Sequence, residues 1–266
     1  MLAEQLLRDC EPASALLALQ EEVRAKPQDS RLRIFLFQLL CILGDWRRAH
    51  TQLSVLADLD PATLAMVEMY RGALHCEALR ADVFAGRRTP LVLGEPLPWL
   101  GHLVEALKLE ASACYGVAVE LRQAALDQAR AVSGEIDGAA FDWIADADSR
   151  LGPVCELILN GKYYWVPFER IERLSLEVPE DLRDVVWLPA HIRFANGGES
   201  VALVPSRYPH SENDLDSAIQ LGRKTLWDEV APGSFHSRGQ RMFATSGGEY
   251  PLLTTRLIEL RPAPNS

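Results

Sequence analysis

A chain of 266 residues, 48% hydrophobic and 24% charged, is long enough to bury one or two cores and has the makeup of a globular protein. Its net charge of −10 is shared between residues 1–138 and 139–266 with no basic tail, which argues against nucleic acid or an anionic membrane as main partner. No apolar run approaches the roughly 20 residues that cross a bilayer, and the first residues lack a signal-peptide pattern, so a cytoplasmic location and no membrane insertion are expected.

The N-terminal half reads as helical repeats. Ala15, Leu19 and Pro27 recur as Ala49, Leu53 and Pro61, 34 residues apart. The second copy is the fuller, running Leu36, Leu40, Gly44-Asp45-Trp46, Ala49, Leu53, Leu56 and Asp60-Pro61. A helix, a Gly turn and a second helix stopped by Pro is the pattern of a tetratricopeptide (TPR) unit. Gly44 supplies the positive φ that closes the first helix, and Pro61 lacks the donor needed to prolong the second. Further helices are expected over 63–84, 99–113 and 115–132, with a loop over 86–98.

Beyond Ser133–Gly138 short β-rich runs replace the helices, at 154–159, 163–166, 173–178, 185–187, 192–194 and 201–204. Asn160-Gly161, Asn196-Gly197 and Ser246-Gly247-Gly248 sit where hairpin turns belong, the last joining 241–245 to 252–258. One helix is expected near 214–221, and Arg223-Lys224 beside Trp227 reads as its solvated end. The expected fold is α+β: a TPR-like helical domain over 1–138, then a β-rich domain over 139–266, either an antiparallel sheet or a small open barrel.

No catalytic or metal constellation emerges. The six histidines form no HxH, HExxH or HxxxH pair, and neither a GxSxG elbow nor a phosphate loop occurs. Five widely spaced cysteines, Cys10, Cys41, Cys76, Cys114 and Cys155, read as buried thiols rather than zinc ligands or disulfides. The dense polar stretch is Asp142-Trp143-Ile144-Ala145-Asp146-Ala147-Asp148-Ser149-Arg150. Its carboxylates suit a divalent cation or acid–base work in a hydrolase or transferase, with Asp142 and Asp146 on one face if the segment is helical. They equally suit backbone capping and pairing with Arg150 at a domain junction. Tyr163-Tyr164-Trp165 and Phe168 fit an aromatic docking patch or the core of a small sheet.

The stretch Phe141–Pro153, with Gly161–Pro167, Asp181–Trp187, Arg207-Tyr208-Pro209 and Gly239-Gln240-Arg241, resembles the ImpE/SciE (TagJ) family of type VI secretion accessory proteins. The resemblance implies a cytoplasmic, non-enzymatic factor without cofactor. It implies association with the contractile sheath through the N-terminal helix of the small TssB-type subunit, and a link to the TssB–TssC sheath and its ClpV ATPase. Repeat geometry offers a groove for such a helix, lined by the first helix of each pair: Arg31, Ile34, Gln38, Cys41 and Ile42, with Glu68 and His75 on the next. The alternatives are a partner site in the β-rich half or at the junction, and a scaffold that oligomerises through its repeats.

Overall fold

The structure, a computed structural model, describes residues 1–261; the end of the 139–266 segment, residues 262–266, lies outside them. Among the described residues there are eight α-helices. Five come in succession, α1 (Leu2–Arg8), α2 (Pro12–Ala25), α3 (Ser30–Ile42), α4 (Trp46–Leu59) and α5 (Leu64–Phe84), then α6 (Pro98–Ala111), α7 (Tyr115–Gln128) and a short α8 (Ser217–Gln220). Local chemistry sets the boundaries of α3 and α4. Asp29 caps α3 by accepting from the Arg31 and Leu32 amides, and Asp45 caps α4 by accepting from the Arg48 amide. Gly44 between them takes φ +69°. Pro61 opens a 3₁₀ turn instead of extending α4.

Each of α1 to α5 packs on the next, whereas α6 and α7 pack chiefly on each other. The stripe Ala49, Leu53 and Leu56 of α4 is wholly buried, as a helix with one inward face requires. Helix α3 differs, because everything from Leu36 to Ile42 is buried. Helices α2 and α4 cover two of its sides, and a 3₁₀ turn at Leu182–Val185 covers part of a third.

The strands are β1 (Leu91–Val92), β2 (Gly134–Ile136), β3 (Ala139–Phe141), β4 (Ile144–Asp146), β5 (Val154–Leu159), β6 (Lys162–Pro167), β7 (Ile171–Leu176), β8 (Trp187–Phe194), β9 (Glu199–Pro205), β10 (Thr225–Ala231), β11 (Ser234–Gly239), β12 (Met242–Thr245), β13 (Gly248–Pro251) and β14 (Leu257–Leu260). Nine form a sheet in the order β1-β6-β5-β9-β8-β7-β14-β2-β3; β13-β12-β4 and β10-β11 form two smaller sheets. Among the described residues all pairings are antiparallel except β1 with β6. The α+β expectation holds, with a broad sheet as its β part.

Several expectations need correction. The two runs at 185–187 and 192–194 are one strand, β8, with Val185 in the preceding turn. Pro189 is tolerated inside β8 because the side on which its missing donor would point lies beyond Leu176, the last residue of β7. The run 252–258 splits: β12 pairs with β13, and β14 crosses to the large sheet. The 86–98 loop contributes β1, whose Leu91 and Val92 lie opposite Tyr164 and Trp165. Arg223-Lys224 is no helix end. Lys224 leads into β10, and the Arg223 guanidinium donates to the Leu7 and Arg8 carbonyls at the end of α1. The Asn160-Gly161 hairpin forms as expected, both residues having positive φ.

Strand β5 explains how helices and sheet join. Its six residues are all buried. Alternation sends Val154, Glu156 and Ile158 to one face and Cys155, Leu157 and Leu159 to the other. Val154 and Ile158 belong to the core that includes α1–α6, whereas Cys155, Leu157 and Leu159 belong to a second core on the far side of the sheet. A carboxylate therefore faces the helices from the middle of an apolar strand.

Candidate functional site

Glu156 is 0% exposed and is the centre of a buried ionic junction. Arg80 of α5 reaches it with two bonds, Nε at 2.8 Å and Nη2 at 3.0 Å, and also donates to the Arg207 carbonyl at 2.8 Å. Arg241, just before β12, bridges Glu156 and Asp146. The Tyr163 hydroxyl donates to Glu156 and accepts from the Trp165 indole at 2.7 Å. Tyr208 donates to Asp146 at 3.0 Å. Nearby Glu77 accepts from the Trp187 indole at 2.8 Å and lies 3.5 Å from Arg80.

Burial opposes ionisation of Glu156, but Arg80 and Arg241 hold its carboxyl down at about 2. Burial dominates at Asp146 and pushes it up to about 6 against the pull of Arg241. Burial likewise raises Glu77. The Asp148 carboxyl is held low despite burial, by Arg150.

The polar stretch at 142–150 is not helical, so Asp142 and Asp146 do not share a helix face: Asp142 is exposed after β3, while Asp146 ends β4. Asp146 accepts from the Asp148 amide at 2.8 Å. Asp148 accepts from the Arg150 side chain at 2.9 Å and from the Ser237 amide at 3.1 Å. Arg150 in turn stacks 5.1 Å above the Phe84 ring. Trp143 is 42% exposed and outside this network. Asp146 and Asp148 thus contact backbone amides and basic side chains while Asp142 contributes only its amide, to Ser246, and among the described residues no group of three or more His, Cys, Asp or Glu suited to a metal occurs.

Arg31, Ile34 and Gln38 come together with Met1, Glu4, Leu32 and Phe35 and the segment Glu180–Leu182 around an open cleft of about 560 Å³. Cys41 and Ile42 do not join them. Both are 0% exposed, because Arg207 donates to their carbonyls at 3.3 and 3.0 Å and the sheet's connections cover this end of α3. Glu68 lies in a separate depression with Met69, Asn160 and Gly161, paired to Arg71 at 2.8 Å, and His75 is exposed but lines neither. Of the thiols, Cys41, Cys76 and Cys155 are buried, but Cys114 is exposed and Cys10 half-buried.

Arg80, Glu156, Arg207, Tyr208 and Arg241 were not candidates from the sequence, although Arg207-Tyr208-Pro209 and Gly239-Gln240-Arg241 carried the family resemblance. One signal was present: Glu156 interrupts an otherwise apolar strand, which demands a buried cation.

The ImpE protein family profile matches residues 138–259. Over 263 residues the chain is 49% identical to the type VI secretion system accessory component TagJ of Pseudomonas aeruginosa, spanning 98% of this chain and 92% of that one. Its fold is that of the crystal structure of protein VPA1032 from Vibrio parahaemolyticus, with a TM-score of 0.89, 26% identity and 98% coverage of both chains. With a relative this similar over nearly its whole length, and with the family's motifs converging on one buried junction, the chain belongs to the ImpE family that includes TagJ.

Proposed function

We propose that this chain is a non-enzymatic, cytoplasmic accessory adaptor of a type VI secretion system. In this reading its TPR-like unit, residues 1–138, and its sheet unit, residues 139–266, act together to bind the contractile sheath. The partner element is the N-terminal helix of the TssB-type small subunit, with the TssB–TssC sheath and the ClpV ATPase as its wider partners. The observation that carries this is the 49% identity to TagJ over nearly the full length of both chains. The carboxylates offer a second support. Asp146 and Asp148 are bound by Arg241, Tyr208, Arg150 and backbone amides, so they are committed to holding the junction rather than to a substrate. Among the described residues no helix is long and apolar enough to cross a membrane.

The test is calorimetric titration of the purified chain with the small sheath subunit, intact and lacking its first helix. Binding to the intact subunit alone is expected; equal binding to both forms overturns helix recognition, and binding to neither overturns the sheath reading.

A further inference from the structure

The cleft beside α3 has a composition that selects its occupant. Leu32, Ile34, Phe35 and Leu182 form an apolar floor, buried or half-buried. Glu4, Glu180 and Asp181 stand on its rim, with Arg31 the cation beside them. Asp181 is paired with Arg183, and Glu4 with the Met1 amino group at 2.8 Å. Glu180 and Arg31 form no ion pair among the described residues.

Three physical arguments fix the class of partner. Arg31, Ile34, Phe35 and Gln38 recur along α3 at the three- and four-residue spacing of a helix ridge, against which another helix packs. The walls contributed by α1 and α3 have already spent their backbone donors and acceptors internally, so an extended peptide finds no strand edge there. Among the described residues Glu180 is the rim acid left without an ion pair and Arg31 the rim cation left without one, so a partner that brings one base and one acid complements both.

We infer that this cleft receives an amphipathic partner helix whose apolar stripe is flanked by a Lys or Arg facing Glu180, with one acidic residue meeting Arg31. The inference rests on the sheath-helix reading and adds to it a surface and a charge rule. It also moves the site away from Cys41 and Ile42, which the chain's own Arg207 covers.

The experiment is fluorescence anisotropy of the full chain with a labelled peptide of the small sheath subunit's first helix. Ile34→Asp, Glu180→Lys and Arg31→Glu are compared with the unaltered chain, with circular dichroism to check folding. Each is expected to weaken binding by about tenfold or more. A peptide with its basic flank changed to Glu is expected to regain affinity on the Glu180→Lys chain alone. The exposed positions Arg31 and Glu180 keep the test decisive if Ile34→Asp misfolds. Full-strength binding by the charge variants overturns the cleft and leaves the sheath reading intact. An unaltered chain that binds neither peptide nor intact subunit overturns both.

Discussion

Arg80 in a helix and Glu156 in a strand, 76 residues apart in sequence, form a two-pronged ion pair that is shielded from water. With the bond from Trp187 to Glu77 it links the helical layer directly to the sheet, and Arg241 extends it to Asp146 and thereby to the segment that carries the family motif. The pair stands inside a continuous apolar core that runs from α1 to Leu203 of β9. Helices and sheet therefore share one core.

Breaking this pair from either side leaves a buried charge short of a counterpart. Glu156→Gln leaves Arg80 with only the Glu77 carboxylate, at 3.5 Å, and Arg241 with only that of Asp146, and Arg80→Ala leaves Glu156 with one guanidinium instead of two. A loss of roughly 3–5 kcal/mol is expected for Glu156→Gln and less for Arg80→Ala. Urea unfolding followed by both circular dichroism and tryptophan fluorescence measures it. Coincident transitions are expected, because Trp165 and Trp187 lie in the shared core.

The same carboxylate sets an acid limit. Its folded value, about 2, lies below the ordinary 4.5, so its contribution is complete above 4.5 and is lost as pH falls from there towards 2. Asp146 has the opposite sign: raised to about 6, it makes stability fall as pH climbs from 3.8 to 6. Stability measured at pH 3, 4.5 and 7 is expected to drop steeply between 4.5 and 3. Glu156→Gln should flatten that drop, and Asp146→Asn should flatten the opposing slope between 4 and 6.

Helix α5 and the β5–β6 hairpin approach through glycine. A Cβ on Gly72 would come 2.9 Å from the Gly161 Cα, which is backbone and has no rotamer to escape with. Gly72→Ala is expected to destabilise by about 1–3 kcal/mol. Gly101 in α6 meets nothing within 4 Å, so Gly101→Ala is expected to stabilise by about 0.5–1 kcal/mol through helix propensity. Thermal melts of the two variants should shift in opposite directions.

These particulars show where sequence is informative. Asn160-Gly161 was legible because two adjacent residues that accept positive φ permit a two-residue hairpin. Gly44 and Pro61 were legible for similar local reasons. The β10–β11 hairpin was not, since its turn holds Pro232-Gly233 and its strand carries Asp228 and Glu229, which mask alternation. Repeat spacing told which residues of α3 point away from α4, but not that Arg207, 165 residues beyond Ile42, would cover the C-terminal end of that face. The partners of Glu156 come from α5 and from the residue before β12, and no local pattern encodes that meeting.

Cysteine accessibility gives an inexpensive check of the packing. Burial pushes the Cys76 and Cys155 thiols up to about 12 and raises Cys41 as well, so all three are protonated and enclosed at neutral pH. Cys114, at the turn before α7, is exposed, and Cys10 is half-buried with its sulfur 2.8 Å from the Arg223 guanidinium. A thiol-reactive chromophore added to the native protein at pH 8 is expected to label Cys114 rapidly and Cys10 more slowly, with the other three reacting only in denaturant. Mass spectrometry of the labelled peptides assigns each site. Rapid native labelling of Cys41 would contradict the cover that Arg207 and the Leu182–Val185 turn place over the end of α3, and with it the exclusion of that end as a helix-binding surface.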